Sequence, residues 1–365
     1  MFHQSIFHIW EPRFQNRVEL LDFLRGAGML LVLMHHSDFP SHYSRWILAF
    51  HMPFMFLLSG YTMYLRPHPE RFIDFISSRF QRLVIPYFLF EGLNLFVWSV
   101  SLYLQGGWQD VTEAVSAILA CLNTEGYTGY YGRLWFWPCM FVTDIYFYCI
   151  LRFTPKKFLF RKGFLLLAIT VMFIFSWITY RILPNRLPFT VDTAFMATAF
   201  LLIGYLFGSK IGWLLQKKHL IADILLLLFS LLVMRWAVLS GKAKCLMFIN
   251  YYNHYGYTLC AAFSGILASS ILLKHLYSIL NNRKFFKSIF LWYGYHSLGT
   301  FPVHLSIKIF IFQFFPLSYR QWYILLPAMF LFNIPLVNLI TEYFPFMLGK
   351  FPCLSNRQKK RKESL

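Results

Sequence analysis

The chain alternates between long apolar stretches and short polar connections along nearly its whole length. Ten apolar segments are each near the ~20 residues that a helix needs to cross a bilayer. They cover about 20–38, 46–65, 83–104, 133–151, 163–180, 190–208, 220–239, 255–273, 288–313 and 322–347. The pattern predicts an all-α, polytopic membrane protein with about ten transmembrane helices.

Composition supports this class and excludes an ordinary soluble protein. Apolar residues make up 58% of the 365 residues, and charged residues only 13%, about half the share usual in soluble proteins. The 43 Phe and 11 Trp suit a surface in contact with lipid, with aromatic belts at the membrane interfaces.

The net charge of +19 is unevenly distributed over the predicted loops. Of the 34 Lys and Arg residues, 24 fall on the side that holds both termini, eight on the other side, and two inside segments. Because basic loops stay in the cytoplasm, this asymmetry predicts that both termini are cytoplasmic. The basic charge therefore indicates topology and contact with membrane lipids, not nucleic-acid binding.

We expect one transmembrane domain over 1–350 and a basic cytoplasmic tail over 351–365. The first twenty residues lack the features of a signal peptide. The longest connection, about 105–132, contains a predicted interfacial helix at 111–122, which is either a lid or an ordinary extracytoplasmic loop. The six cysteines are scattered without a C-x-x-C pair, so neither a disulfide framework nor a metal site is expected.

Arg25 and His36 are polar residues within the first apolar segment. Placing such residues inside a membrane costs free energy, so they indicate a functional site. Eleven helical steps separate them by roughly 16 Å along the axis. Arg25 could hold an anion while His36, at the other end of this spacing, performs chemistry. The neighbouring His35 points about 100° away from His36 on a helix, so both cannot face one site.

Other polar residues at segment ends extend this set. In the predicted topology, His51, Asp192 and His304 lie at the same membrane level as His36, although each histidine alone could be a packed structural residue. On the cytoplasmic side, Arg79 and Arg82 are spaced i, i+3, which puts both on one helical face. They could bind phosphates through bidentate contacts, together with Arg25, or act only as positive-inside anchors.

Several segments together resemble the acyltransferase-3 family of integral membrane O-acyltransferases, especially its fucose 4-O-acetylase-like branch. The resemblance rests on DFLRGAGMLLVLMHHS, FHMPFMFLLSGY, SSRFQRLVIPY, LWF at 134–136, DTAF from 192 and GYHSLGTFPVH ending at 304. It extends over nearly the whole chain. One departure is Tyr295-His296, where the family usually has a lysine-containing stretch.

The resemblance implies transfer of an acyl group, usually acetyl, from cytoplasmic acyl-CoA (acetyl-CoA as donor) to a hydroxyl of a glycan or its lipid-linked precursor, in the bacterial inner membrane and without a metal. The family's basic-x10-His pattern falls on Arg25 and His36, and its R-x-x-R pattern on Arg79 and Arg82. His36 is the expected general base or the carrier of an acyl intermediate.

In this interpretation His51, Asp192 and His304 orient His36 or the acceptor. The alternative is a transporter or flippase of a lipid-linked glycan, in which the buried His and Arg residues line a pathway.

Overall fold

The computed structural model describes residues 19–65, 71–104, 134–155, 157–183, 187–217, 219–315 and 321–350. The predicted interfacial helix at 111–122 and the basic tail at 351–365 lie outside these ranges.

Helices dominate the described residues. They are α1 Glu19–His36, α2 Ser41–Leu65, α3 Phe72–Arg79, α4 Ile85–Leu104, α5 Phe136–Phe153, α6 Phe158–Ile182, α7 Val191–Leu206, α8 Gly208–Gln216, α9 Leu220–Leu239, α10 Tyr255–Ile279, α11 Lys284–Tyr295, α12 Ser297–Phe314 and α13 Trp322–Tyr343. A π-helical turn, Phe80–Val84, joins α3 to α4. Short 3-10 turns occupy Pro188–Thr190, Met247–Ile249, Leu280–Asn282 and Pro345–Leu348.

Seven helical stretches among the described residues are long and apolar enough to cross a membrane. They are Ser41–Leu65, Phe72–Val100, Phe160–Ile182, Pro188–Leu206, Leu220–Leu239, Tyr255–Asn282 and Trp322–Tyr343. This confirms the prediction of an all-α, polytopic membrane protein. The figure of about ten spans and the cytoplasmic location of the termini stay predictions.

A small hairpin between α9 and α10 was not predicted. Its strands, β1 Cys245–Leu246 and β2 Tyr251–Tyr252, pair antiparallel. Burial raises the pKa of the Cys245 thiol to about 12, so this cysteine is inert at neutral pH.

The predicted segment 288–313 is two helices rather than one. Helix α11 ends at Tyr295, His296 has the non-helical angles φ −94° and ψ 17°, and α12 begins at Ser297. The membrane depth of His304 therefore cannot be counted along one continuous helix from residue 288.

The chain forms two compact units. Unit 1 comprises Met1–Pro67, Thr154–Leu183 and Phe195–Ser297, and unit 2 comprises His68–Phe153, Pro184–Ala194 and Leu298–Leu365. Each unit is built from three separate ranges of the sequence, so neither unit is a continuous segment of the chain. The assignment of 1–350 to one transmembrane domain stays a prediction.

Glycines set the helix packing in unit 1. A Cβ on Gly26 of α1 would lie 1.8 Å from the carbonyl oxygen of Phe290, and one on Gly294 of α11 would lie 1.8 Å from that of Asp22. The two backbones thus touch directly, as small residues allow in membrane helices. This contact positions the helix that carries Arg25.

A second glycine pair joins α2 to α7. A Cβ on Gly60 would lie 1.8 Å from the carbonyl oxygen of Leu201, and one on Gly204 would lie 2.0 Å from that of Leu57. Gly60 belongs to the FLLSGY motif, which therefore has a packing role.

Aromatic side chains form the core of unit 2 where α4, α5 and α12 meet. The Trp137 ring lies 5.8 Å from Phe90 and 6.2 Å from Phe301, between centroids. Phe136 lies 5.1 Å from Phe301. Helix α13 also approaches α12, because a Cβ on Gly299 would lie 3.0 Å from Val337.

Candidate active site

Arg25 is held at the start of α1 by polar contacts within unit 1. Its guanidinium donates a hydrogen bond to the hydroxyl of Thr62 on α2. Asp22, one turn earlier, lies 3.5 Å away. The side chain keeps 17% of its surface exposed, so Arg25 is anchored yet reachable by an anion.

Histidines cluster where α1 ends and α2 begins. His36 is the last residue of α1, and its ring centroid lies 5.2 Å from that of His35. His35 also lies 5.7 Å from His51, and its Nδ1 is 2.8 Å from the Oγ of Ser44. His35 is thus a member of the cluster, although its angle on the helix relative to His36 predicts that the two cannot face one site.

Backbone contact sets the tautomer of His51. Its Nδ1 lies 2.8 Å from the carbonyl oxygen of Ile47, and the side chain is buried. A carbonyl oxygen can only accept, so Nδ1 carries the proton. The neutral ring then has Nε2 as its acceptor nitrogen.

Arg79, which is half-buried, forms an ion pair with a buried carboxylate within unit 2. Its Nε lies 3.0 Å from Oδ2 of Asp144, a fully buried carboxylate on α5. The other oxygen of Asp144, Oδ1, has no hydrogen-bond partner among the described residues. Sequence reasoning passed over Asp144, although a carboxylate inside an apolar segment is itself a signal of function.

Arg82 lies in the π-helical turn rather than in an α-helix, so the i, i+3 argument for a shared face with Arg79 does not apply directly. Such turns occur frequently at functional sites. Arg82 is exposed, whereas Arg79 is half-buried.

A second cation, Lys350, lies beside Arg82. Gly349 has the left-handed φ of 66° and lies against this turn, because a Cβ there would be 2.1 Å from the carbonyl oxygen of Gln81. Burial, followed by the neighbouring charge of Arg82, lowers the pKa of Lys350. Two cations held together favour an anion.

The remaining predicted residues of unit 2 are buried. Asp192 is the second residue of α7 and is 1% exposed. His304 on α12 is fully buried, with Nδ1 3.1 Å from the carbonyl oxygen of Thr300 and its ring 5.8 Å from Phe301. As in His51, the backbone contact puts the proton on Nδ1.

The predicted site residues are divided between the two units. Unit 1 holds Arg25, His36 and His51; unit 2 holds Arg79, Arg82, Asp192 and His304. The structure adds His35 and Ser44 to the first set, and Asp144 and Lys350 to the second. Within the described ranges, no group of three or more His, Cys, Asp or Glu side chains is placed to hold a metal ion.

Comparison with known families identifies the class of protein. The chain matches the family model described as an acyltransferase domain, Acyl_transf_3, over residues 18–342. The match covers most of the chain, which therefore belongs to this family, and the protein is a multi-pass membrane acyltransferase. No curated protein and no solved structure matches the chain. Membership of the fucose 4-O-acetylase-like branch stays a prediction.

Proposed function

We propose that this acyltransferase moves an acyl group, specifically acetyl, from cytoplasmic acyl-CoA to a hydroxyl of a cell-surface glycan or its lipid-linked precursor. The observation that carries the proposal is the arrangement on α1, which has an anchored cation at one end and a histidine cluster at the other. The family match supports the reaction class.

His36 acts as the general base. It removes the proton from the acceptor hydroxyl while the hydroxyl oxygen attacks the thioester carbonyl carbon. The tetrahedral intermediate then collapses, the C–S bond breaks, and the CoA thiolate leaves and takes up the proton from His36. In the alternative route, the imidazole attacks first and the hydroxyl displaces it from an acyl-His intermediate. His35, hydrogen-bonded to Ser44, positions the cluster, and His51, Asp192 and His304 orient His36 or the acceptor.

Cations at the predicted cytoplasmic side bind the CoA phosphates. Arg82 makes the most direct contact because it is exposed and has Lys350 beside it. Asp144 fixes the guanidinium of Arg79, whose planar, permanently charged group suits phosphate recognition. In unit 1, Arg25, anchored by Thr62, is the further cation proposed to bind a phosphate.

The decisive experiment measures acetyl transfer from radiolabelled acetyl-CoA by the purified protein in lipid nanodiscs. His36→Ala should lose roughly a hundredfold or more in kcat, the range of a lost general base. His219→Ala, at an exposed position before α9, is the matched control and should transfer normally. Activity retained in folded His36→Ala would reject the role of His36.

The acceptor is found by comparing O-acetyl signals in NMR spectra of the cell-surface glycan with and without the gene. Loss of specific O-acetyl signals supports the proposal and names the sugar position. Unchanged acetylation, together with transport of the glycan across the membrane without acyl-CoA, would instead favour the alternative function as a transporter or flippase of a lipid-linked glycan.

A further inference from the structure

Unit 2 contains buried polar side chains to which the proposed reaction has so far given no role. Asn94 of α4, Trp137 of α5 and Thr300 of α12 are each at most 1% exposed. They lie on helices whose other side chains are mostly apolar, where each polar group needs a partner.

The helices that carry the three residues contact one another at one junction. Trp137 touches Phe90 and Phe301. Phe90 precedes Asn94 by one helical turn, so both lie on the same face of α4. On α12, Phe301 follows Thr300 directly, and the Ser306 hydroxyl closes the junction by donating to Oδ1 of Asn94 at 2.6 Å.

Each of the three side chains presents a donor for which no described residue is an acceptor. Among the described residues, Nδ2 of Asn94, Nε1 of Trp137 and Oγ1 of Thr300 have no hydrogen-bond partner. Since the Ser306 hydroxyl occupies Oδ1 of Asn94, the amide is oriented with its NH2 group unused. Buried polar groups without partners are rare in native structures, and a ligand is one explanation for them.

We propose that Asn94, Trp137 and Thr300 form the subsite that binds a sugar ring of the acceptor. The donors are neutral, so they suit hydroxyl and ring oxygens rather than phosphates. The rings of Trp137 and Phe301 make the surroundings of these donors apolar. This inference rests on the proposed function, because it assigns a binding position to the acceptor of that reaction.

The position of His304 agrees with this role. It lies one turn after Thr300, hydrogen-bonds the Thr300 carbonyl oxygen, and contacts Phe301. An acceptor hydroxyl bound at the junction would thus have an imidazole nearby. Burial also excludes water, which would otherwise compete with the sugar for the acyl group.

The unfolding temperatures of substituted proteins distinguish a ligand-binding role of Thr300 from a structural role. Thr300→Val replaces an unpartnered hydroxyl by a methyl group of similar size, so the unfolding temperature should stay equal or rise. Thr258→Val is the matched control in unit 1, because the Thr258 hydroxyl donates to the carbonyl oxygen of Lys244 at 3.2 Å. That control should lower the unfolding temperature and leave both KM values unchanged.

In the transfer assay, Thr300→Val and Trp137→Phe should each raise the acceptor KM roughly tenfold, the effect of one lost hydrogen bond. The acyl-CoA KM should not change. A raised acyl-CoA KM with an unchanged acceptor KM would overturn the assignment, because the donors would then bind the amide carbonyls of the pantetheine arm.

A binding experiment tests the subsite without catalysis. Thermal unfolding of the wild type is followed with methyl glycosides of fucose, glucose and galactose, in the absence of acyl-CoA. An upward shift that disappears in Trp137→Phe and Thr300→Val but persists in Thr258→Val supports the proposal, even if acyl transfer itself fails. The proposal is overturned if no sugar shifts the unfolding temperature, or if the shift in Trp137→Phe equals that of the wild type. The three donors would then be hydrogen-bonded to bound water.

Discussion

Asp223 in unit 1 and Asp144 in unit 2 are both buried carboxylates on apolar helices, but their oxygens are not equally paired. Asp223 accepts from Lys274 Nζ at 2.7 Å and contacts His275 Nε2 at 2.8 Å, one partner for each oxygen. Asp144 contacts Arg79 through one oxygen, while the other lacks a hydrogen-bond partner among the described residues.

The cation beside Asp223 is equally well satisfied. Lys274 also donates to the carbonyl oxygens of Leu214 at 2.9 Å and Lys217 at 3.1 Å. An ammonium group has three donors, so Lys274 uses its full capacity and ties the end of α8 to α9 and α10. Complete pairing of this kind indicates a structural role. Incomplete pairing, as at Asp144, leaves capacity for a ligand.

The largest expected effect comes from breaking the fully paired cluster. Lys274→Met leaves Asp223 as a buried charge without its main partner and two carbonyl oxygens unpaired. Such a loss costs about 3–5 kcal/mol. Denaturant unfolding in detergent micelles measures it, with the exposed Lys210→Met as control. A free energy of unfolding within about 1 kcal/mol of wild type would show that pairing does not distinguish the two carboxylates.

Asp144→Asn tests the other side of the comparison. The amide keeps the shape but removes the charge that holds Arg79, so the acyl-CoA KM should rise roughly tenfold, equivalent to about 1.4 kcal/mol. The unfolding temperature should change little. Asp223→Asn is the matched control, with the opposite result expected: clear destabilisation and unchanged KM values in the folded fraction. Destabilisation by both substitutions would remove the distinction.

Lys350→Met should have the smallest effect and sharpens the comparison at the π-helical turn. Loss of the cation beside Arg82 should raise the acyl-CoA KM severalfold, a change of about 1 kcal/mol. The native pKa of Lys350 is lowered by burial and by Arg82, so the unfolded chain binds its proton more tightly. Wild-type stability therefore rises as the pH increases from the native pKa towards the ordinary lysine value.

Removal of Lys350 should consequently raise the unfolding temperature slightly at neutral pH, and the difference should vanish in alkaline buffer. Thermal unfolding of both proteins across that pH range checks the sign. A lower unfolding temperature for Lys350→Met at neutral pH would contradict the proximity of the two cations.

Uniformly apolar helices were the easiest part of the fold to predict. The predicted segment 220–239 coincides with α9, Leu220–Leu239, because its hydropathy changes sharply at both ends. The break at His296 and the π-helical turn at Phe80–Val84 were missed. Hydropathy does not distinguish a π-helical turn or a single non-helical residue from a continuous α-helix, so the hydrophobic pattern carries no signal for them.

Site residues show the same division. Arg25, His36, Arg79 and Arg82 were recognisable because polar residues are expensive in a membrane span and because their spacing resembles a family pattern. The partners of these residues were not recognisable. Ser44 beside His35 and Lys350 beside Arg82 are ordinary residues in the sequence, and only contact gives them a role.

The sequence by itself determined the membrane class, the family and the residues with reactive side chains, since hydropathy, charge and motif spacing belong to each local segment. Only the tertiary structure decided which buried groups are satisfied. That outcome depends on which helix faces meet, and in unit 1 those faces are set by backbone contacts at Gly26 and Gly294. Asp223 and Asp144 therefore look alike in the sequence and differ only once their neighbours are in place.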